Sequence, residues 1–127
     1  CIAETPAELL WQFATVLAAG GRAAWLAGET ATRLRGELPA RLHERVAIVA
    51  DVLHDDFDAA LIGTADPALV ETWSRRLAER AGPIVALHPI AFDAAAEPFA
   101  LERLMVERTL SVNTAAAGGN ASLMTIG

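Results

Sequence analysis

The chain has 127 residues, 54% of them hydrophobic and 20% charged, with a net charge of −6 at pH 7. That length supports one domain burying roughly two thirds of its unfolded surface, and the composition excludes a disordered chain and, lacking an unbroken apolar run of about 20 residues, a membrane-spanning helix. All ten basic residues are arginine, which excludes lysine nucleophiles and phosphate-binding lysines, and an acidic balance without a basic patch argues against nucleic acid.

The chain opens Cys1-Ile2-Ala3-Glu4, with no initiator Met and no basic stretch ahead of an apolar segment. We therefore read neither a signal nor a transit peptide, and expect a piece of something longer. The single cysteine suits a reducing, cytoplasmic setting.

Thr5-Pro6-Ala7-Glu8 places a capping Thr before Pro at the first helical position, with Glu three residues after the cap, a helix start. Leu9, Phe13, Val16 and Leu17 form the buried stripe and Gly20-Gly21 the stop. Arg22 to Ala27 is a short apolar run that suits a buried strand. Thr30 to Gly36 predicts a short helix, and the spacing of Leu42, Val46, Val49 and Leu53 predicts another over Pro39 to Ala50.

Phe57 to Gly63 reads as a second strand. Asp66-Pro67 starts a helix with Leu69, Val70, Trp73 and Leu77 on its stripe, ending at Gly82-Pro83, and Pro83 to Ile90 follows as a third strand. With Cys1-Ile2-Ala3 as the tail of one more, the alternation predicts an α/β fold: a Rossmann-like parallel sheet of about four strands flanked by helices. Phe99, Leu101, Leu104 and Met105 then predict a short helix reaching about Glu107, and Leu110 and Val112 a strand of period two. Residues 1–97 form the Rossmann-like part, and 98–127 an appended helix, strand and Gly-rich tail of the same domain.

His43, His54 and His88 lie on three elements without the spacing of a shared ligand set, so no metal site is expected. Asp51, Asp55, Asp56 and Asp58 read as a solvated acidic loop, because the calcium-loop pattern is absent. Gly20-Gly21 precedes a strand, whereas a dinucleotide fingerprint puts its glycines between strand and helix, and Asp66 at a helix start repels an anion. Cys1 reads as buried at a strand end and Asn120-Ala121-Ser122 as a chance sequon. Trp11, Trp25 and Trp73, and Phe13, Phe57 and Phe99, read as packing.

The stretch from Thr109 to Gly127 has no charged side chain. Its Asn and Gly content suits a bilayer poorly, and solvation would expose Leu110, Val112, Leu123, Met124 and Ile126. We expect it to be buried in a groove, with Gly118 and Gly119 able to turn inside it.

"SVNTAAAGGNASLMTIG" closely resembles the C-terminal motif of the proline utilization A family, bacterial flavoproteins that join a proline dehydrogenase to an L-glutamate γ-semialdehyde dehydrogenase. The likeness continues back through Leu101 to Arg108 and, more loosely, over nearly the whole chain, which resembles the family's inactive aldehyde-dehydrogenase-superfamily domain. The stretch Pro6 to Gly28 resembles the helix and strand of aldehyde dehydrogenases, with Ala27-Gly28 where their ribose-binding Lys follows the strand. The segments "ALIGTAD" and "AGPIVALHP" resemble the later turn, helix and strand, with Leu87-His88-Pro89 where the general-base Glu is expected. The Gly-Gln-x-Cys nucleophile motif is absent.

The resemblance implies no catalytic, cofactor-binding or metal residue in this domain, although the parent enzyme uses FAD and NAD. It implies a non-catalytic scaffold that packs on the aldehyde dehydrogenase domain and helps seal the substrate-channelling cavity, in place of a partner's β-flap. The lid would comprise Ser111, Val112, Asn113 and Thr114; Ala115, Ala116 and Ala117; Gly118, Gly119 and Asn120; and Ala121, Ser122, Leu123, Met124, Thr125, Ile126 and Gly127. Its partners would be the proline dehydrogenase and aldehyde dehydrogenase domains of the parent chain, with no nucleic acid and no membrane span. Self-association of the isolated domain and peripheral attachment of the parent to the inner membrane stay open. The alternative is a self-contained Rossmann-like module for a small ligand or nucleotide at the C-terminal ends of its strands.

Overall fold

The structure is a computed structural model and describes residues 1–64, 66–90 and 99–105. Helix α1 (Pro6–Ala18) begins where the capping box predicts: Glu8 N–H donates to Thr5 Oγ1 at 3.2 Å, and Glu8 Oε2 accepts from Thr5 N–H at 3.0 Å. It stops at Gly20, whose φ of +79° suits a residue without Cβ. Strand β1 (Ala23–Leu26) follows, then helix α2 (Glu29–Glu37).

The next element departs from the sequence expectation. Residues 39–50 do not form one helix: a 3-10 turn covers Ala40–Arg45 and strand β2 covers Val46–Val49. The helical spacing of Leu42, Val46, Val49 and Leu53 coincides with a β-branched run, and β1 offers that run a parallel edge, Ala23 opposite Val46 through Leu26 opposite Val49. Sheet pairing and burial override the local period.

Strand β3 (Ala59–Ile62), helix α3 (Pro67–Ala78) and strand β4 (Ala86–Pro89) complete the alternation, with β3 and β4 parallel. Asp66 caps α3, its Oδ1 accepting from Ala68 N–H at 2.9 Å. The expected short helix near residue 101 is a 3-10 turn, Leu101–Leu104. The expected strand around Leu110 and Val112 lies outside the described residues.

The fold is α/β, as expected, but its sheet is assembled as two parallel pairs, β1–β2 and β3–β4. Residues 1 and 2 join them: the Cys1 amino group donates to Ala24 O at 2.7 Å, Ile2 N–H donates to Leu61 O at 2.8 Å, and Ile2 pairs in parallel with Ile62. The hydrogen-bonded order is thus β2, β1, residues 1–2, β3, β4. The first residues of the chain lie in the middle of the sheet.

Two apolar clusters fill opposite faces. One gathers Leu9 and Phe13 of α1, Ala31 and Leu34 of α2, and Ala23, Trp25 and Val46 of the first strand pair. Trp25 is fully buried and meets Phe13 edge to face at 5.4 Å; truncating such an aromatic costs roughly 3–5 kcal/mol. The other cluster sets Leu77 of α3 on Ala60 and Val52, with Phe57, Trp73 and Leu87 at its edge. Trp25 and Phe13 pack as the sequence predicts, and Phe57 and Trp73 are half-buried. Leu69, expected on the buried stripe of α3, is 37% exposed.

Candidate functional site

In parallel α/β sheets, ligands bind beyond the carboxyl ends of the strands, where the connections diverge to opposite faces. Here that place is a cleft of about 450 Å³. Ala3 and Glu4 leave the central segment, Leu26 to Thr30 leave β1, and Ile62 to Thr64 leave β3, while Leu69 and Trp73 of α3 form a wall.

The polar groups at this cleft are carboxylates and hydroxyls. At the start of α1, Glu8 Oε2 accepts from the N–H groups of both Glu4, at 3.2 Å, and Thr5, at 3.0 Å. Gly63 sits directly above, where a Cβ would lie 3.3 Å from the Glu8 carboxyl carbon and 3.1 Å from Gln12 Nε2. Of the amides a dinucleotide's pyrophosphate would use at such a helix start, Pro6 supplies none and Glu8 N–H is given to Thr5 Oγ1, while the Glu8 carboxylate sits on the two amides just before the helix. Helix α2 begins with Glu29 in its first turn and no side-chain cap on Gly28, and α3 begins at the Asp66 carboxylate. Each helix start near the cleft therefore carries negative charge in the positive end of its dipole, and Ala27-Gly28 supplies no cation at the end of β1. These residues do not fit a nicotinamide dinucleotide.

The other sequence-singled groups are scattered. His43 Nε2 lies 2.9 Å from Leu38 O, His54 is an exposed side chain 3.6 Å from Asp51, and His88 on β4 stacks edge-on against Phe99. Burial, with the charge of Arg103, pushes the His88 pKa down. Among the described residues no group of three His, Cys, Asp or Glu converges as a metal site requires. Cys1 is half-buried.

The acidic loop is more tied down than a solvated loop would be. Asp51 Oδ1 accepts from Leu53 N–H and from Arg76, both at 3.2 Å. The Leu53 bond first, and then the Arg76 guanidinium, hold its carboxyl below the usual carboxylate range. Arg80 donates to Asp55 O while its guanidinium lies 4.1 Å from the Phe57 ring centre. Arg76 of α3 and Arg80 just past its end thus latch the crossover between the strand pairs.

Sequence reasoning missed Gln12. It is fully buried on α1, and its Nε2 donates to Ile2 O at 2.8 Å. The signal was a polar residue next to Phe13 in an otherwise apolar stripe. The expected lid, Ser111 to Gly127, lies outside the described residues. Among the described residues no helix is long and apolar enough to cross a membrane.

No family model matches the chain, and no solved structure matches it. It is 41% identical to bifunctional protein PutA of Salmonella typhimurium, 39% identical to that of Escherichia coli and 30% identical to that of Rhizobium meliloti. These alignments take in 99–100% of this chain and 10% of each relative. The chain is therefore similar, from end to end, to a stretch that makes up about a tenth of bifunctional PutA proteins.

Proposed function

We propose that this chain is a non-catalytic scaffolding domain of a bifunctional enzyme that oxidises proline to glutamate. It packs on the aldehyde dehydrogenase domain of its parent and helps close the cavity through which the intermediate passes. The observation that carries the reading is the end-to-end similarity to one segment of proteins named as bifunctional, in a chain that seats the Glu8 carboxylate at the start of α1. A domain with a carboxylate at the helix start that a phosphate would face keeps the scaffold and repels a nucleotide there.

On this reading residues 1–97 are a degenerate aldehyde-dehydrogenase-type body, and 98–127 carry the flap strand and the lid, Ser111 to Gly127. The lid's lack of charge supports burial in a dry interface, because an unpaired buried charge is costly. FAD and NAD belong to the other domains of the parent. Truncating the parent at Thr109 is expected to impair coupled turnover from proline to glutamate more than proline oxidation alone. Equal loss of both activities would remove the lid from the account.

A second reading, a binding module for a small ligand, draws on the cleft at the strand ends, half-lined by apolar groups such as Leu26, Ile62 and Trp73. A small molecule that co-purifies with the chain and is displaced by narrowing the cleft with Gly28→Leu, where a Cβ meets no atom within 4 Å, would favour it.

A further inference from the structure

In the parallel pair β3–β4, Ala60 stands opposite Leu87 and Leu61 opposite His88. Ala60 and Leu87 belong to the cluster under α3, so alternation puts Leu61 and His88 on the other face, the face of α1. There the Phe99 ring meets the His88 ring edge to face at 5.9 Å, and the 3-10 turn that follows, Leu101–Leu104, lies against α1. Phe99, Ala100, Leu101 and Leu104 are half-buried, whereas Glu102, Arg103 and Met105 are exposed. Residues 99–105 thus cover this part of the sheet, and what Phe99 rests on is an imidazole.

The place suits a neutral ring and not a charged one. His88 Nε2 is shut off from solvent and has no hydrogen-bond partner among the described residues. A neutral imidazole can leave one nitrogen bare, but the imidazolium carries a proton on both, and a buried charged donor without an acceptor is costly. The described residues set no carboxylate against that charge. Strands β3 and β4 hold no other titratable side chain, and the one such group of α1, Glu8, is engaged by the Glu4 and Thr5 amides. The charged residues of α3 lie across the sheet, on the Leu87 face. The turn brings Glu102 and Arg103, and it is the Arg103 guanidinium, of the same sign as an imidazolium, that acts on the ring. Burial first, and then Arg103, hold the His88 pKa below its ordinary value of 6.5.

We propose that His88 is a proton-operated catch for residues 99–105: the neutral ring lets Phe99 seat them on the sheet, and the imidazolium releases them. The sign follows from linkage. With the segment seated, the ring binds a proton less readily than it does free in water, so seating is at full strength above 6.5 and weakens as the pH falls through that value. Residues 99–105 lead from the strands to the uncharged stretch from Thr109 to Gly127. The catch therefore fixes the near end of that connection in neutral solution and loosens it in mildly acidic solution. It is a property of His88, Phe99 and Arg103 and does not depend on a scaffolding role.

Amide hydrogen exchange of the 127-residue chain tests it, with protection followed from about pH 7.5 down to about pH 5, on either side of the histidine range. The amides of residues 103 and 105, bonded to Ala100 O and Glu102 O, report the turn, and the Ala27 amide, bonded to Val49 O in the other strand pair, reports the body. Relative to Ala27, protection of the two turn amides is expected to fall by about threefold or more in the unsubstituted chain. It should stay level in His88→Gln and fall less in Arg103→Gln, which removes the like charge from an exposed position. No fall in the unsubstituted chain, an equal fall in His88→Gln, or a fall in Arg103→Gln as large as in the unsubstituted chain would overturn the proposal. If His88→Gln does not fold, the Arg103→Gln exchange is joined by an NMR titration of the His88 ring. A midpoint below 6.5 that rises in Arg103→Gln supports the catch, and a midpoint at or above 6.5 or unmoved by Arg103→Gln overturns it.

Discussion

The side-chain amide of Gln12 donates to the carbonyl of Ile2 at 2.8 Å, and the same carbonyl accepts from Gly63 N–H at 2.8 Å. One fully buried polar residue on α1 thereby fixes the height of the central segment against β3, at the floor of the candidate cleft. Because Gly63 leaves only 3.1 Å between a hypothetical Cβ and Gln12 Nε2, the three residues form one close-packed unit that positions the strand ends.

Removing that bond has a predictable cost. Gln12→Ala loses the hydrogen bond and opens a cavity, about 2–3 kcal/mol. Gln12→Met keeps the volume and also removes Oε1, which has no partner among the described residues, so it stays within about 1 kcal/mol of the unsubstituted chain. Urea unfolding of the two variants checks this; a Met variant weaker than the Ala variant would refute the pairing.

For the 127-residue polypeptide prepared with a free amino group at Cys1, stability should rise with pH between about 5 and 8. The Cys1 ammonium is lowered from 8.0 to about 5 in the folded chain. Between those values the unfolded chain binds a proton that the folded chain does not, so stability falls as pH falls through this window. At about 1.4 kcal/mol per pH unit the full span is of the order of 4 kcal/mol. Half-buried His88, also lowered, adds loss of the same sign below its ordinary value of 6.5. Acetylating Cys1 should leave only the weaker His88 dependence, as read from unfolding midpoints across pH.

The latch between α3 and the crossover loop divides unequally. Arg80→Ala loses both the bond to Asp55 O and the contact with the Phe57 ring, about 1–2 kcal/mol. Arg76→Ala loses an exposed pair with Asp51, under about 1 kcal/mol. Chemical denaturation that ranks Arg76→Ala as the more damaging would show that the loop is held another way.

Titration calorimetry of the chain with NAD is expected to give no heat of binding, because Glu8 places a carboxylate at the start of α1. Glu8→Ala should cost about 1 kcal/mol by breaking the capping box. Micromolar NAD affinity in the unsubstituted 127-residue chain would overturn the assignment of that position.

Much of the architecture was legible because its signals are local. Thr5-Pro6-Ala7-Glu8 specifies a helix start through bonds made within four residues, and Asp66-Pro67 does the same for α3; both are found where they were expected. The three strand runs likewise stand close to their predicted places. The stretch from Pro39 to Ala50 was misread because Val46 and Val49 satisfy a helical and a strand pattern equally, and only the edge of β1 decides between them.

Composition and motif thus determined that this is an α/β chain without a lysine, with helix starts closed by its own carboxylates and an uncharged terminal stretch. Tertiary structure alone decided that residues 1 and 2 lie at the centre of the sheet and that Gln12 reaches Ile2. The physical reason is range. Capping and alternation act within a few residues and leave their mark on the sequence, whereas strand order and buried hydrogen bonds join residues ten to sixty apart, and no local pattern encodes which of several compatible neighbours will be met.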